Sequence, residues 1–197
     1  MASGEPVQIT ISMTSMKGLA RLAFIAQQFG YEYADLQQTS DNKFALLIVP
    51  DPGPQAQERA AQNRARYPDA SDGVSLPPLV PNAIKLLKAR MVVDLSRQYT
   101  DKQRAAIMGF GFTAMAAGIG FGFRADTTTV VIVGIVWAAL MALLPVGLAG
   151  GRRYGAKYVA RLQAAGFTQV TDRSGRLRYV PPGGQLPGHG NPFAGGA

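Results

Sequence analysis

The sequence predicts an α+β membrane protein in which a two-helix transmembrane hairpin is inserted between the N- and C-terminal parts of a small cytoplasmic α/β domain (β-α-β-β plus α-β-β). Three observations predict this arrangement. Between Ala105 and Gly151 the chain carries only two charged residues, Arg124 and Asp126. Patterns typical of strands and amphipathic helices lie on both sides of this apolar stretch. The flanking segments are basic, with six Lys/Arg against two Asp/Glu in residues 81–104 and seven against one in 152–197.

Residues 1–67 are predicted to form the N-terminal α/β part. Residues 7–13 alternate apolar and polar side chains, which indicates a half-buried strand. Residues 16–29 place apolar side chains at helical spacing, and Gly30 suits the left-handed position that ends many helices. The stretches YEYADLQQ and KFALLIVP predict two strands around the turn TSDN, and residues 55–67 predict a polar, alanine-rich helix.

The next two segments connect this part to the apolar stretch. Residues 68–81 are rich in Pro, Ser and Asp and are predicted to be an extended linker. Residues 82–103 predict an amphipathic juxtamembrane helix with Ile84, Leu87 and Met91 along one side. Because this helix is also basic, we expect it to lie at the membrane interface. The alternative is that its apolar side packs against the soluble domain.

Residues 104–151 are predicted to form the transmembrane hairpin. Residues 105–123 and 129–149 are uncharged stretches of 19 and 21 residues, and each helix would match a hydrocarbon core of about 30 Å. A single helix through the whole stretch would be about 68 Å long at 1.5 Å per residue, far more than a bilayer can cover. Arg124 and Asp126 are therefore predicted to lie in a turn between two spans. The stretch TDKQ before the first span has the spacing of a capping box.

Charge distribution predicts the orientation of the hairpin. The excess of arginine over lysine, with much alanine and glycine, suggests a bacterial source and hence the bacterial inner membrane. The positive-inside rule places both termini in the cytoplasm and residues 124–128 outside. The basic residues that flank the spans are predicted to contact anionic lipid: Lys85, Lys88, Arg90, Arg97, Lys102, Arg104, Arg152, Arg153 and Lys157.

Small residues recur at helical spacing in both predicted spans. Such faces allow close approach of helix backbones in lipid. The predicted helix-packing residues are Gly111, Ala114, Gly118 and Gly122 in the first span, and Gly134, Ala138 and Ala142 in the second. The sequence does not decide whether their partner is the other span or another copy, and general abundance of Gly and Ala is the alternative explanation.

Residues 152–180 predict a C-terminal α-β-β part that repeats the residue classes of the N-terminal one. In both, a helix ends at a glycine followed by an aromatic residue, and a strand, a polar turn and a strand ending in Val-Pro follow. This is a similarity of pattern, so a true repeat and convergent turn chemistry remain alternatives. A helix and hairpin of this size cannot bury a core alone, so the segment is expected to dock on the N-terminal part or on another subunit. The Gly/Pro-rich tail, residues 181–197, is predicted to be disordered.

Residues of the kinds that catalyse reactions or bind metals and cofactors are scarce. The chain has no cysteine, which excludes disulfides and thiolate sites, and its single histidine, His189, has no second ligand near it in sequence. No phosphate-binding loop, dinucleotide fingerprint or nucleophile elbow is present. We therefore expect no catalytic, cofactor-binding or metal-binding residues, no small-molecule substrate and no enzymatic activity. Arg173, Arg176 and Arg178 are candidate partner contacts, for an acidic protein surface, anionic lipid or, less well supported, nucleic-acid phosphates.

Two functional hypotheses follow. The first is an integral membrane anchor or accessory scaffold subunit of a larger bacterial assembly, with a cytoplasmic protein-binding domain. The second is a homo-oligomeric channel or translocation pore that contacts nucleic acid through its basic segments. In both, the partners are the lipid bilayer and either another protein or further copies of the chain.

Overall fold

The computed structural model describes residues 5–12, 15–39, 41, 43–73, 75–122, 126–172 and 175–182. These residues form a mixed α+β structure that divides into two compact units. The α/β unit contains Met1–Arg97 and Tyr158–Ala197, and the helical unit contains Gln98–Lys157. The predicted disordered tail lies outside the described residues, apart from Pro181 and Pro182.

Five strands and five α-helices occur in the described part of the chain. In chain order they are β1 (Val7–Ser12), α1 (Met16–Gln28), β2 (Tyr31–Gln38), β3 (Lys43–Pro50), α2 (Pro54–Arg66), α3 (Pro81–Ser96), α4 (Asp101–Gly122), α5 (Thr127–Ala164), β4 (Thr168–Thr171) and β5 (Leu177–Val180). The predicted linker begins with a short 3-10 turn at Pro68–Asp72.

The α/β unit is built on a three-stranded antiparallel sheet in the order β1-β3-β2. One face of the sheet carries the apolar side chains of β1 together with Leu46 and Ile48 of β3, and these pack with α1 and α3 to form the core. Leu46 of β3 lies opposite Ile9 of β1 and Leu36 of β2, so one apolar row crosses all three strands. The fully buried side chains of this core include Leu19, Tyr33, Leu36, Leu46, Ile48 and Met91.

Helix α1 ends where the sequence predicts. Gly30 adopts φ of +87°, a conformation that glycine accepts without a side-chain clash. Helix α2 then packs against this end, and a Cβ atom at Gly30 would lie 3.0 Å from the Cβ atom of Ala60. Three α2 side chains donate hydrogen bonds to carbonyl groups at the end of α1: Arg59 to Gln27, Asn63 to Gln28 and Arg64 to Phe29. The carboxyl end of α1 is thus capped by side chains of α2.

Helix α3 packs inside the α/β unit, which is the alternative arrangement considered for it. Ile84, Leu87 and Met91 belong to the core with α1 and the sheet. Another side of the helix, including Val93, packs in a second cluster with Tyr179 of β5. The apolar side of α3 is thus covered by protein, and a place for this helix at the membrane interface stays a prediction.

The C-terminal part packs on α3. Strands β4 and β5 form a separate two-stranded antiparallel sheet. Leu162 at the end of α5 and Tyr179 of β5 are buried in the cluster that contains Val93. Gly166 has φ of +80°, like Gly30 at the end of α1, so both α-β-β segments end their helix in the same way. All four residues of β4 are exposed, unlike the buried residues of β2.

The helical unit contains α4 and most of α5. Helix α5 has 38 residues and runs through Pro145 and through the predicted boundary at residue 151. Its apolar part is long enough to cross a membrane, and its most apolar window is not buried. Within the described residues it is the one helix that meets this standard, so the second span and the topology stay predictions. Residues 123–125, where the predicted turn begins, lie outside the described part of the chain.

Candidate functional site

A cluster of charged side chains lies inside the α/β unit, where β2, α3 and β5 meet. At its centre Arg178 donates from Nη2 to Oδ1 of Asp35 at 2.6 Å. The same guanidinium lies 3.9 Å from a carboxylate oxygen of Asp94 and 3.8 Å from one of Asp172. Arg176 donates to the other oxygen of Asp35 at 2.9 Å. Each arginine thus faces at least one carboxylate, and the pairing joins the C-terminal hairpin to β2.

The cluster continues toward the core through Tyr33. The hydroxyl group of Tyr33 donates to Oδ2 of Asp94 at 2.8 Å. The guanidinium of Arg90 lies over the Tyr33 ring, 5.1 Å from its centroid, and 3.8 Å from a carboxylate oxygen of Glu32. Arg90 is only 3% exposed, and its buried Nε atom has no hydrogen-bond partner. Each buried arginine of the cluster therefore has a carboxylate nearby, as the cost of burying an unpaired charge requires.

Burial and pairing shift the pKa values of these groups in different directions. Burial raises the pKa of Asp94, and Arg178 only partly opposes this effect. Burial also raises the pKa of Glu32 against the lowering effect of Arg90, and raises the pKa of Tyr33 well above its ordinary value. At Asp35, burial acts to raise the pKa, but hydrogen bonds from Gln37 and Arg176 and the charge of Arg178 together lower it. Asp35 is therefore the carboxylate that the cluster stabilises.

This arrangement joins the C-terminal hairpin to β2 and α3 through buried ion pairs and hydrogen bonds. The surface depression beside it, lined by Asp94, Arg97, Arg176, Leu177 and Arg178, is too shallow to hold a small molecule. Within the residues that the structure describes, no group of three or more His, Asp or Glu side chains could hold a metal ion. The cations and anions of the cluster contact one another.

The structure corrects the roles of several predicted contact residues. Arg178 is predicted to contact a partner, but it is 8% exposed and paired with Asp35. Arg90 is predicted to contact lipid, but it is buried beside Tyr33. Arg97, also in the lipid set, donates to the Leu177 carbonyl oxygen at 2.8 Å and lies over the Tyr179 ring. The aliphatic stems of such side chains can pack among apolar residues. Carboxylates face the charges of Arg178 and Arg90, whereas Arg97 bonds a carbonyl oxygen.

The other predicted contact residues lie nearer the surface. Arg176 is partly exposed and paired with Asp35, and Arg173 lies outside the described residues. In the lipid set, Arg152 forms an ion pair with Asp101 at 2.6 Å while staying largely exposed. The remaining members are exposed or half-buried: Lys85, Lys88, Lys102, Arg104, Arg153 and Lys157.

The predicted helix-packing residues do not lie between α4 and α5. Gly111, Ala114, Gly118, Gly134, Ala138 and Ala142 are all exposed, and the surroundings of Gly122 lie outside the description. The two helices contact instead through larger side chains. Nε1 of Trp137 donates to Oγ1 of Thr113 at 3.1 Å, and Arg152 bonds Asp101 near the start of α4. Neither contact involves a predicted helix-packing residue, and the described members of both small-residue faces are exposed.

Sequence reasoning missed the residues that matter most inside the unit. Asp35, Asp94 and Tyr33 have partners that lie far from them in sequence. One local signal was available, because each aspartate interrupts an otherwise apolar run, in YADL and in VVDL. A lone carboxylate in such a run requires a buried partner.

Comparison with protein-family models, with curated proteins and with solved structures finds no match to this chain.

Proposed function

We propose that this protein is an integral membrane anchor or scaffold subunit of a larger bacterial membrane assembly. It crosses the inner membrane twice, through α4 and α5, and its α/β unit lies on the cytoplasmic side. There the α/β unit binds another protein and so holds it at the membrane. The proposal rests on the exposed apolar surface of the helical unit and on the way both ends of the chain pack together.

The apolar surface of α5 supports insertion in lipid. Ile135 is 64% exposed and Val146 is 67% exposed, and the apolar residues between them are exposed on several sides. A soluble protein would bury such a helix, because leaving large aliphatic side chains in water forfeits about 1.5–3 kcal/mol for each one. A bilayer covers every side of the helix at once.

The packing of the chain ends supports a second crossing. Residues before α4 and residues at the end of α5 share one buried cluster, in which Val93 packs with Leu162 and Tyr179. Two segments in one compact unit lie on the same side of a membrane. If α5 crosses the bilayer, the chain must therefore cross it once more between Arg97 and Thr127. Helix α4, with 22 residues, is the described helix in that interval, and at 1.5 Å per residue it is about 33 Å long.

Charge supports the orientation. Exposed basic residues, including Lys102, Arg152, Arg153 and Lys157, lie at the ends of α4 and α5 that adjoin the α/β unit in sequence. The predicted exterior turn carries one arginine and one aspartate, so it has no net charge. The positive-inside rule then favours a cytoplasmic α/β unit.

Cysteine labelling tests this topology, because the natural chain has no cysteine. We expect T128C to react with a membrane-impermeant maleimide added outside spheroplasts. The matched variants Q62C, on α2, and Q163C, near the end of α5, are exposed positions in the α/β unit. Both should react only after the membrane is permeabilised. Reaction of Q62C and Q163C on opposite sides of the membrane would contradict a double crossing.

Co-purification tests the scaffold role. Extraction of the tagged full-length protein in a mild detergent, followed by mass spectrometry, should recover a protein partner in reproducible stoichiometry. The matched control is a two-span membrane protein of similar abundance from the same cells. Recovery of a monodisperse monomer without a partner, from membranes where the protein is native, would argue against this role.

A homo-oligomeric channel is the second candidate. The observation that favours it is the uncovered small-residue face on each helix, which suits close packing with further copies in lipid. Conductance of the purified protein in planar bilayers would support a pore. Failure of any oligomer to form on crosslinking in native membranes would refute it.

A further inference from the structure

The two outer edges of the three-stranded sheet differ in how they are protected. At β2, the register shifts at Ala34, and the strand carries Glu32 and Asp35. Arginine side chains from the C-terminal hairpin reach Asp35 at this edge. Bulges and charges of this kind prevent a foreign strand from pairing with an edge.

Strand β1, at the other edge, has none of these devices. Its sequence VQITIS contains no charge and no proline, and its pairing with β3 is regular over all six residues. Among the described residues, β3 is the one strand that pairs with it. An antiparallel edge strand turns alternate N–H and C=O groups away from its neighbour, so β1 offers a row of backbone hydrogen-bonding groups to another strand.

The side chains of β1 are also incompletely covered. Val7, Ile9 and Ile11 pack against the core from the edge of the sheet and are only half-buried. Gln8 and Thr10 point to the other face and are exposed. A strand that covers this edge is therefore expected to be apolar on the core side and polar on the other.

Strand β1 itself has this pattern. In an antiparallel pair that is symmetric about Ile9, Val7 of one copy lies opposite Ile11 of the other, and Gln8 lies opposite Thr10. Side chains opposite each other point to the same face of a sheet. Each half-buried aliphatic side chain thus meets an aliphatic one, and Gln8 and Thr10 meet each other, without a like-charge contact.

We propose that β1 is a self-association surface, where two copies of the chain pair β1 with β1 antiparallel around a two-fold axis. The two three-stranded sheets then form one six-stranded sheet. A contact of one six-residue strand is small compared with stable protein interfaces, so the dimer is weak and is best trapped covalently. The proposal concerns the α/β unit alone and does not depend on how the helical unit meets the membrane.

Disulfide trapping gives the first test. In the proposed register, the full-length variant Q8C/T10C places each new cysteine opposite one of the other copy, at a Cα separation of roughly 4.5–5.5 Å that a disulfide accepts. We expect crosslinked dimer under mild oxidation, in detergent and in vesicles, at about ten times the yield of the control variant Q62C/A65C on the exposed face of α2. Equal yields from the two variants would overturn the proposal.

Charge placement gives the second test and does not require oxidation. Because position 8 faces position 10 of the other copy, Q8K/T10K brings like charges together and Q8K/T10E brings opposite charges together. Energy transfer between copies labelled at Q62C in vesicles should show about tenfold weaker association for Q8K/T10K, and association at least equal to the parent for Q8K/T10E. All these positions are exposed, and circular dichroism checks that each variant is folded. Equal association of the two charge variants would overturn the proposed pairing.

Discussion

Arg178 is the residue whose loss should damage the α/β unit most. Its guanidinium is almost fully buried, bonds Asp35 at 2.6 Å and lies within 4 Å of Asp94 and Asp172. The substitution R178M keeps the volume and the apolar stem but removes the charge. Asp35 then remains buried with Arg176 as its remaining cation, and Asp94 loses its closest cation.

The expected loss is large because one partner of a buried ion pair is removed. Leaving the other charge uncompensated in the interior costs about 3–5 kcal/mol. Arg176 provides the matched comparison, since it bonds the same carboxylate from a position that is 30% exposed. Solvent screens that interaction, so R176M should cost about 1 kcal/mol or less. R178K, which keeps the charge but not the planar fork, should fall between the two.

Pulse proteolysis of the full-length protein in urea and detergent would measure these free energies of unfolding. The pH dependence gives an independent check. The pKa of Asp35 is lowered in the folded protein, so its contribution is present above the ordinary Asp pKa of about 3.9 and is lost as the pH falls through the folded value. In R178M the effect of burial on Asp35 and Asp94 is no longer opposed by Arg178, so the pKa of each carboxyl group should be higher than in the parent. The deficit of R178M should therefore shrink as the pH falls and these groups of the variant take up protons before those of the parent do.

The reasoning would be refuted if R178M unfolded with the same free energy as R176M at pH 7. It would also be refuted if the deficit of R178M stayed constant between pH 7 and pH 4. Either result would mean that Asp35 is better hydrated in solution than its 6% exposure indicates.

Three further substitutions have definite expected outcomes. G30A should destabilise the α/β unit by about 1–2 kcal/mol, because it adds a close contact to backbone strain. G73A has φ of +73° and open space around it, so it should show only the strain of about 1 kcal/mol. Equal losses in urea unfolding would contradict this. Y33F removes the hydrogen bond to Asp94 and should cost about 1–3 kcal/mol at pH 7. Because burial raises the pKa of Asp94, that loss should diminish as the pH falls through a folded pKa above the ordinary Asp value, and a loss independent of pH would count against it. T100A removes the side-chain hydrogen bond of the capping box at the start of α4. The first turn should lose about 1 kcal/mol of stability, so its backbone amides should exchange hydrogen about fivefold faster. Unchanged exchange would show that the capping box is not formed in solution.

Local structure could be predicted from the sequence where one physical signal dominates. The alternation in VQITISM and the glycine after α1 predict a strand and a helix end that the structure confirms. The TDKQ stretch predicts reciprocal hydrogen bonds between Thr100 and Gln103, and both are present. Each of these features depends on residues only a few positions apart, so the sequence displays them directly.

Packing partners could not be predicted in the same way. The apolar side of α3 has the same spacing whether it faces lipid or protein, and only the positions of α1 and β5 decide between them. Asp35 and Arg178 are 143 residues apart, and no periodicity connects them. The small residues of α4 and α5 likewise indicate a packing face without indicating a partner, and the structure leaves that face exposed.

The distance along the chain between Asp35 and Arg178 also determines when the α/β unit can be completed during synthesis. A ribosome that adds about 5–20 residues per second needs roughly 7–30 s to pass from one to the other. Asp35, and later Asp94, are thus made well before the arginine of β5 that faces them. Strand β5, the last of the described strands to emerge, supplies both the cation and the Tyr179 side chain that close the unit. A chain interrupted before residue 177 lacks both contacts, and we expect limited proteolysis to digest its α/β unit faster than that of the full-length chain.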